Sequence, residues 1–442
     1  MAIFKSKYDI IVVGTGVAGL NCVINLPEDK SVLLISKRSP DRSDSYLAQG
    51  GICRLRGEDD YEQYFTDTMR AGHYENDPAA VECMIRSSQE IISDLEKIGV
   101  EFTKNDDGSF LYTREGGHSA ARICYHEDCT GKEITSALQS KVEKRKNVQI
   151  VPEITLLDII EDGKRCFGVI VSDNADKKVY QIYSDYVVLA TGGVGGAFGN
   201  TTNYSHLTGD AVSICMRHGV KVKNLDYIQI HPTSLYSKDG GRKFLISESV
   251  RGEGAILLDK NFKRFTDELK PRDIVKDAVL KKMAEDGTDF VWLDMRPVGR
   301  ENLESHFPQI IKRCKEEGYD VFSECVPVVP AIHYFMGGIE CDLNGATSLK
   351  ALYAVGETCC NGVHGKNRLA SNSLLESLLF AKRAARYITE NYQKADEGDC
   401  KLAASEIDND KYADPDKLLE EYRQELVEAV RKAEQKRSKK SE

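Results

Sequence analysis

The sequence has no surplus of positive charge, no long apolar run and no paired-cysteine motif, and each absence closes off a class of function. Its 442 residues carry a net charge of -10, which leaves no basic footprint for nucleic acid, while a local cationic pocket for a small dianion stays open. No apolar run reaches the ~18 residues that span a bilayer, so no membrane partner is expected. No secretory leader precedes Met1, and the 13 cysteines lie at irregular spacings. Together these predict reduced thiols in a soluble, cytoplasmic protein. Cys124-Tyr-His-Glu-Asp-Cys129 offers thiols and an imidazole, but a closed zinc site takes four ligands, often from Cys-x-x-Cys pairs. The chain contains no such pair, so no metal is expected. A hydrophobic content of 41% suffices for packed cores, and the length predicts two domains and a tail.

What is present begins at Tyr8-Asp-Ile-Ile-Val-Val-Gly-Thr-Gly-Val-Ala-Gly-Leu20. Ile10–Val13 reads as a buried parallel strand, because its apolar residues do not alternate with polar ones. Gly14, Gly16 and Gly19 follow at dinucleotide-fingerprint spacing: a tight turn, close approach to a pyrophosphate, and close packing of the next helix. The next strand, 31–35, ends at Ser36-Lys37, where a ribose-binding acid would normally stand. Lys37 therefore argues against a simple NAD site. The loop Ser43-Asp-Ser-Tyr-Leu-Ala-Gln-Gly-Gly-Ile52 has glycines that let backbone amides meet a cofactor.

Residues 60–98 read as amphipathic helix, with Phe65, Met69, Met84, Ile85, Ile91, Ile92 and Leu95 facing a core. Thr113-Arg-Glu-Gly-Gly-His-Ser119 is a loop of the kind that contacts a ligand. A helix and short strands at 148–151, 154–160, 168–171 and 180–183 lead to a second buried run, Tyr186–Ala190, ending in Thr191-Gly-Gly-Val-Gly-Gly196. Two strand–glycine turns with a small meander between them suggest one sheet returning to one cofactor. From Asn224 to Tyr334 the texture becomes more charged, and the segment reads as an inserted domain. The chain returns through His333-Tyr-Phe-Met-Gly-Gly338 to the strand 352–355 and Gly356-Glu357. A helix follows from Leu374, with Ser371, Asn372 and Ser373 as candidate N-caps. Residues 395–442 read as solvated helices whose charge run has no functional meaning.

Taken together, Gly-Thr-Gly-Val-Ala-Gly, Ala-Gln-Gly-Gly, Ala-Thr-Gly-Gly, His-Pro-Thr, Arg-Gly-Glu-Gly, Pro-Arg-Asp, His-Tyr-x-Met-Gly-Gly and His-Gly-x-Asn-Arg-x-x-Ser-Asn-Ser occur in the order of one family. The chain resembles the flavoprotein family of succinate dehydrogenase and fumarate reductase over residues 8–390, and within it the aspartate oxidases. The resemblance implies an α/β fold: a Rossmann-like FAD-binding domain (1–223 and 335–390), an α+β capping domain (224–334) and a short helical C-terminal segment (391–442). Aspartate oxidases usually end in a longer helical domain than this chain has.

By that resemblance FAD is held by Gly14, Thr15, Gly16, Val17 and Ala18, by Lys37, by Asp44, Ser45, Tyr46, Leu47, Ala48, Gln49, Gly50 and Gly51, and by Ile154, Ala190, Thr191, Gly192, Asp210, Glu357, Ser373 and Leu374. The N-terminus of the helix from Leu374 would stabilise negative charge on the reduced ring. His231, His333 and Arg368 correspond to residues that clamp substrate carboxylates, with Gln229, Ser247 and Arg251 beside them. Arg272 corresponds to the residue that exchanges a proton with substrate; an arginine pKa above ~12 makes a shuttle partner necessary. Asp44 stands where a histidine joins FAD covalently in relatives, so non-covalent FAD is expected. Glu115 would repel a plain dianion unless the substrate also carries a cation, as the α-ammonium of L-aspartate does. The implied reaction is FAD-dependent oxidation of L-aspartate to iminoaspartate, with oxygen or fumarate as electron acceptor and a functional link to quinolinate synthase in NAD biosynthesis. The alternative is a soluble fumarate reductase or a succinate dehydrogenase flavoprotein subunit.

Overall fold

The computed structural model describes residues 4–237, 241–405 and 407–441. Residues 1–3, 238–240, 406 and 442, which fall inside the expected domain ranges, lie outside the described residues.

Lys7–Val13 lies within a seven-stranded sheet ordered Val148–Pro152, Val32–Ser36, Lys7–Val13, Val179–Leu189, Cys166–Asp173, Ile154–Glu161. The seventh strand, Leu352–Ala354, runs parallel beside the end of Val179–Leu189, whose start pairs antiparallel with Cys166–Asp173. The sequence pattern suggested two separate strands at 180–183 and 186–190. One strand results because the polar break is satisfied internally: Ser184 Oγ donates to the Tyr186 carbonyl, and Asp185 accepts from Tyr392 and Ala395. Alternation along the parallel strands divides their side chains between two cores. Ile10, Val12, Val32, Leu34 and Val188 face one, with helices Val17–Asn25, Pro78–Lys97 and Asn372–Glu390. Ile11, Val13, Leu33, Ile35 and Val187 face the other, with Asp210–Arg217. A polar residue at any of these positions would forfeit about 1.5–3 kcal/mol of burial.

The fingerprint glycines are required by contact. Gly14 has φ +117°, and a Cβ there would sit 2.1 Å from the Ala190 carbonyl oxygen. A Cβ on Gly19 would sit 1.9 Å from the Gly14 carbonyl oxygen, so only glycine lets the first helix lie this close to its strand.

Between Asp210–Arg217 and Leu352–Ala354 the chain builds a four-stranded antiparallel sheet, ordered Ile228–Leu235, Val326–Phe335, Val291–Asp294, Ile256–Leu258. It has its own core, including Leu235, Val250, Leu257, Val275, Phe307 and Val328, packed under helices Arg272–Asp286, Arg300–His306 and Pro308–Glu316.

The C-terminal helix Pro415–Ser441 is less solvated than its charge suggests. Leu418, Tyr422, Leu426 and Val430 are buried in the second core. Arg437 pairs with Asp226 (Nε–Oδ2 2.5 Å) and donates to Tyr227 where the chain enters the antiparallel sheet. No described helix is long and apolar enough to cross a membrane.

Candidate active site

A cavity of about 420 Å³ opens where the parallel strands end. Its floor is Gly14, Thr15, Gly16 and Ala18 after the first strand, Lys37 after the second, Ile154 after Val148–Pro152, Ala190–Gly192 after Val179–Leu189, and Glu357 after Leu352–Ala354. Crevices at the carboxyl ends of parallel strands are where α/β sheets bind nucleotides. Helix Val17–Asn25 starts here with no side-chain bond from its N-cap residue and no acid in its first turn, which leaves its positive dipole end for an anion beside the Val17 N–H that Ser45 Oγ takes. Lys37 Nζ is held by Asp210 (2.6 Å), Thr208 and the His206 carbonyl.

Helix Asn372–Glu390 also starts uncapped, contrary to the candidate caps read from sequence. The hydroxyl of Ser371 is diverted to Glu115 instead, and Ser373 and Leu374 line the cavity. Asp44 gives both carboxylate oxygens to the neighbouring segment, Oδ1 to the Tyr204 N–H (3.0 Å) and Oδ2 to the Asn203 amide, and burial raises its pKa to about 6. An FAD fits these features: an anion-ready helix start, a glycine floor, and an unpartnered buried Gln49 Oε1 on the wall, among the described residues.

The other end of the cavity gathers His231, His333, Arg368, Arg272, Glu115, Ser247 and Glu248. The Thr233 N–H donates to His231 Nδ1 (3.2 Å), which places the ring proton on Nε2. That Nε2 is buried without a partner among the described residues, as is Arg368 Nε. Burial, with the charges of Arg272 for His231 and Arg368 for His333, lowers both imidazole pKa values well below the ordinary range. Two neutral histidines 5.2 Å apart between ring centres thus stand with two guanidiniums. Arg368 lies over the Tyr334 ring at 4.0 Å, and burial lowers its pKa to about 10. This constellation suits a dianion.

Glu115 is not a solvated partner of Arg114, whose Nε donates to the His118 carbonyl. It is buried, and its carboxylate accepts from Ser249 Oγ and Ser371 Oγ, each at 2.6 Å. Burial and the nearby Glu248 raise its pKa. A buried acceptor-only group among cations is suited to a ligand that brings its own positive charge.

Three residues expected at the cavity do not line it; all the others do. Val17 is buried at the start of its helix, its N–H on Ser45 Oγ at 3.2 Å. Gln229 stands one bond behind the wall, accepting from Arg272 Nη1 (2.8 Å). Arg251 lies behind Glu248, with Nη1 on the Glu268 carbonyl (2.7 Å). Glu248 itself was missed. Its Oε2 is 2.5 Å from Arg272 Nε, and it stands between Ser247 and the Arg-Gly-Glu-Gly motif that starts at Arg251. Burial acts to raise its pKa, but the Arg272 and Arg251 charges outweigh this and hold it below the usual range. No group of three or more candidate metal ligands occurs among the described residues.

A family model described as an FAD binding domain matches residues 9–374. The E. coli quinol fumarate reductase is 31% identical with a TM-score of 0.85, the match covering 92% of this chain and 74% of that one. The chain belongs to the FAD-binding flavoprotein family of succinate dehydrogenase and fumarate reductase, and its cofactor is FAD. Within that family it belongs with the L-aspartate oxidases. The Clostridium perfringens L-aspartate oxidase is 46% identical over 382 residues, 86% of either chain. That of Clostridium acetobutylicum is 44% identical over 384 residues, 87% of this chain and 88% of that one. These two relatives are therefore about as long as this chain, whereas the match covers only 68% of the longer Nostoc L-aspartate oxidase.

Proposed function

We propose that this chain oxidises L-aspartate to iminoaspartate. A non-covalent FAD held along Gly14, Thr15, Gly16, Lys37 and Asp44 would supply a hydride acceptor, with oxygen or fumarate as the final electron acceptor. The observation that carries the reading is the buried Glu115 carboxylate on the same cavity wall as Arg272, Arg368, His231 and His333. His231 Nε2–H, His333 and Arg368 hold the two carboxylates, and Glu115 takes the α-ammonium, fixing which face of Cα is offered for hydride loss. The substrate loses hydride from Cα and a proton from nitrogen. Arg272 is suited to move a proton because its Nε–H donates to Glu248: as that proton passes to the carboxylate, the guanidine takes up the one released by the substrate and its own proton count is unchanged. In this reading residues 224–334 form a cap that excludes water from the imine, over a cofactor domain of 1–223 and 335–390, with 391–442 as its tail. Asp44 offers no ring nitrogen for a covalent link. The product feeds quinolinate synthase in cytoplasmic NAD biosynthesis.

The test is anaerobic bleaching of the bound flavin near 450 nm, with L-aspartate and succinate added to separate native samples and a third sample precipitated with acid. Bleaching by L-aspartate, with yellow FAD released by acid, is the expected result. Bleaching by succinate alone would replace the reading with a fumarate reductase or succinate dehydrogenase flavoprotein. FAD retained in the acid pellet would overturn the non-covalent assignment.

A further inference from the structure

Behind Glu115 lies a set of buried charges that the proposed reaction does not use. Arg122 has 0% relative exposure. It donates to Asp60 (Nη2–Oδ1 3.0 Å), to Asp67 (Nη1–Oδ2 2.8 Å) and to His118 Nδ1 (2.9 Å). A guanidinium only donates, so His118 Nδ1 is an acceptor and the ring proton resides on Nε2. That Nε2–H donates to the Ala370 carbonyl at 3.0 Å. Burial and the Arg122 charge push the His118 pKa down to about 4, so the tautomer persists at neutral pH. Neither His118 nor Arg122 lines the cavity.

The segment they hold is strained. Ser371 has φ +60°, a left-handed state disfavoured for a residue with a Cβ. It is kept there from both sides: the Cys53 N–H donates to the Ser371 carbonyl (3.1 Å), and Tyr64 Oη donates to Asn372 Oδ1 (2.6 Å). In this state Ser371 Oγ reaches Glu115 Oε2. The loop carrying Glu115 and His118 is therefore stitched twice to the segment carrying Arg368, Ala370 and Ser371. Without the imidazole, the Ala370 carbonyl keeps, among the described residues, only the Cys53 thiol at 3.5 Å, a weak donor.

We propose that His118, with its tautomer fixed by Arg122, is a specificity-positioning residue that sets Glu115 against Arg368 and so favours an amino dicarboxylate over a plain one. This rests on the functional reading above, since it assigns Glu115 to an ammonium.

The holoenzyme variants His118→Leu, His118→Gln and Arg122→Lys test it. The measurements are kcat/KM for L-aspartate, the inhibition constant of succinate, flavin content and melting temperature. In His118→Leu the ratio of aspartate kcat/KM to succinate affinity should fall about tenfold or more with FAD still bound, as a mis-set charge contact costs about that much. Glutamine can accept from Arg122 and donate to Ala370, so His118→Gln should stay within about threefold of native. Arg122→Lys lacks the fork that fixes the tautomer and should fall between them. A purely structural role would lower melting temperature and flavin content while leaving the ratio unchanged. Should His118→Leu fail to fold, an equal ratio in native, His118→Gln and Arg122→Lys overturns the proposal. If the native enzyme bleaches with succinate and not with L-aspartate, the functional reading fails and the proposal with it. A native preference for L-aspartate that survives in every variant sinks the proposal alone.

Discussion

Arg272 Nη1 donates to Gln229 Oε1 at 2.8 Å, and Gln229 passes the constraint on, its Nε2 donating to the Arg368 carbonyl (2.8 Å) and to Asn367 Oδ1 (2.7 Å). One amide thus ties the residue suited to move a proton to the residue suited to hold a carboxylate, although it never faces the cavity. Gln229→Leu removes all three bonds and leaves a buried guanidinium proton unpaired, a loss of about 1–3 kcal/mol. The expected outcome is a fall in kcat/KM for L-aspartate of about ten- to a hundredfold with flavin content unchanged. Steady-state rates set against absorbance of the bound flavin would check it, and rates within about twofold of native would contradict it.

Glu248 is the acceptor that makes proton movement at Arg272 feasible, and its Oε1 also lies 3.7 Å from Arg251 Nη2. Glu248→Gln keeps the shape and removes the charge. Turnover should fall about 10²–10⁴-fold, the range for loss of a general acid–base partner, with a much smaller change in substrate affinity. Rapid-mixing measurement of flavin reduction by L-aspartate separates the two. A reduction rate near native would show that the proton leaves by another route.

Periodicity and glycine spacing carry information about backbone, and there the sequence was readable. Ile10–Val13 and the turn at Gly14 follow from local sterics and from burial on both faces of a sheet. Side-chain partnership is not local, and the misplacements lie there. Arg251 and Gln229 carry groups suited to substrate, yet Gln229 is bonded to the Arg368 carbonyl, 139 residues on, and Arg251 is drawn behind Glu248 with its Nη1 on the Glu268 carbonyl. Ser371 looks like a helix cap, but its hydroxyl is claimed by Glu115, 256 residues away. Arg437 sat in a charge run that reads as solvent-facing, and only the packed chain shows it holding Asp226.

Glu115 gives the reaction a predictable acid limb. Burial and Glu248 raise its pKa above the ordinary carboxylate value, and only the ionised form attracts an ammonium. As pH falls through the raised value Glu115 takes up a proton, so affinity for L-aspartate declines while succinate meets less repulsion. The pH profile of kcat/KM should therefore fall on the acid side, and Glu115→Gln should flatten that limb at a lower plateau. Competition by succinate should strengthen over the same interval in the native enzyme alone. An acid limb that persists in Glu115→Gln would assign it to another group.

Stability should carry a pH signature of its own, from two acids held in the protonated form. Burial raises Glu357 to about 8 and Glu376 to about 7, where Asn361 and Ser377 donate to the Glu376 carboxyl. In the unfolded chain both titrate near ~4.3. Between the unfolded and folded values the folded state binds more protons than the unfolded one, so stability declines as pH rises. The contribution is fully present below the unfolded value and is lost by about pH 7 for Glu376 and about pH 8 for Glu357. Urea midpoints of the flavin-free protein should therefore fall from pH 5 to 8. Glu376→Gln keeps an amide in the same pocket without a titrating proton, and should flatten the part of the slope below pH 7. An unchanged slope in that variant would mean that Glu376 is ionised in the folded protein across this range and does not carry the pH dependence.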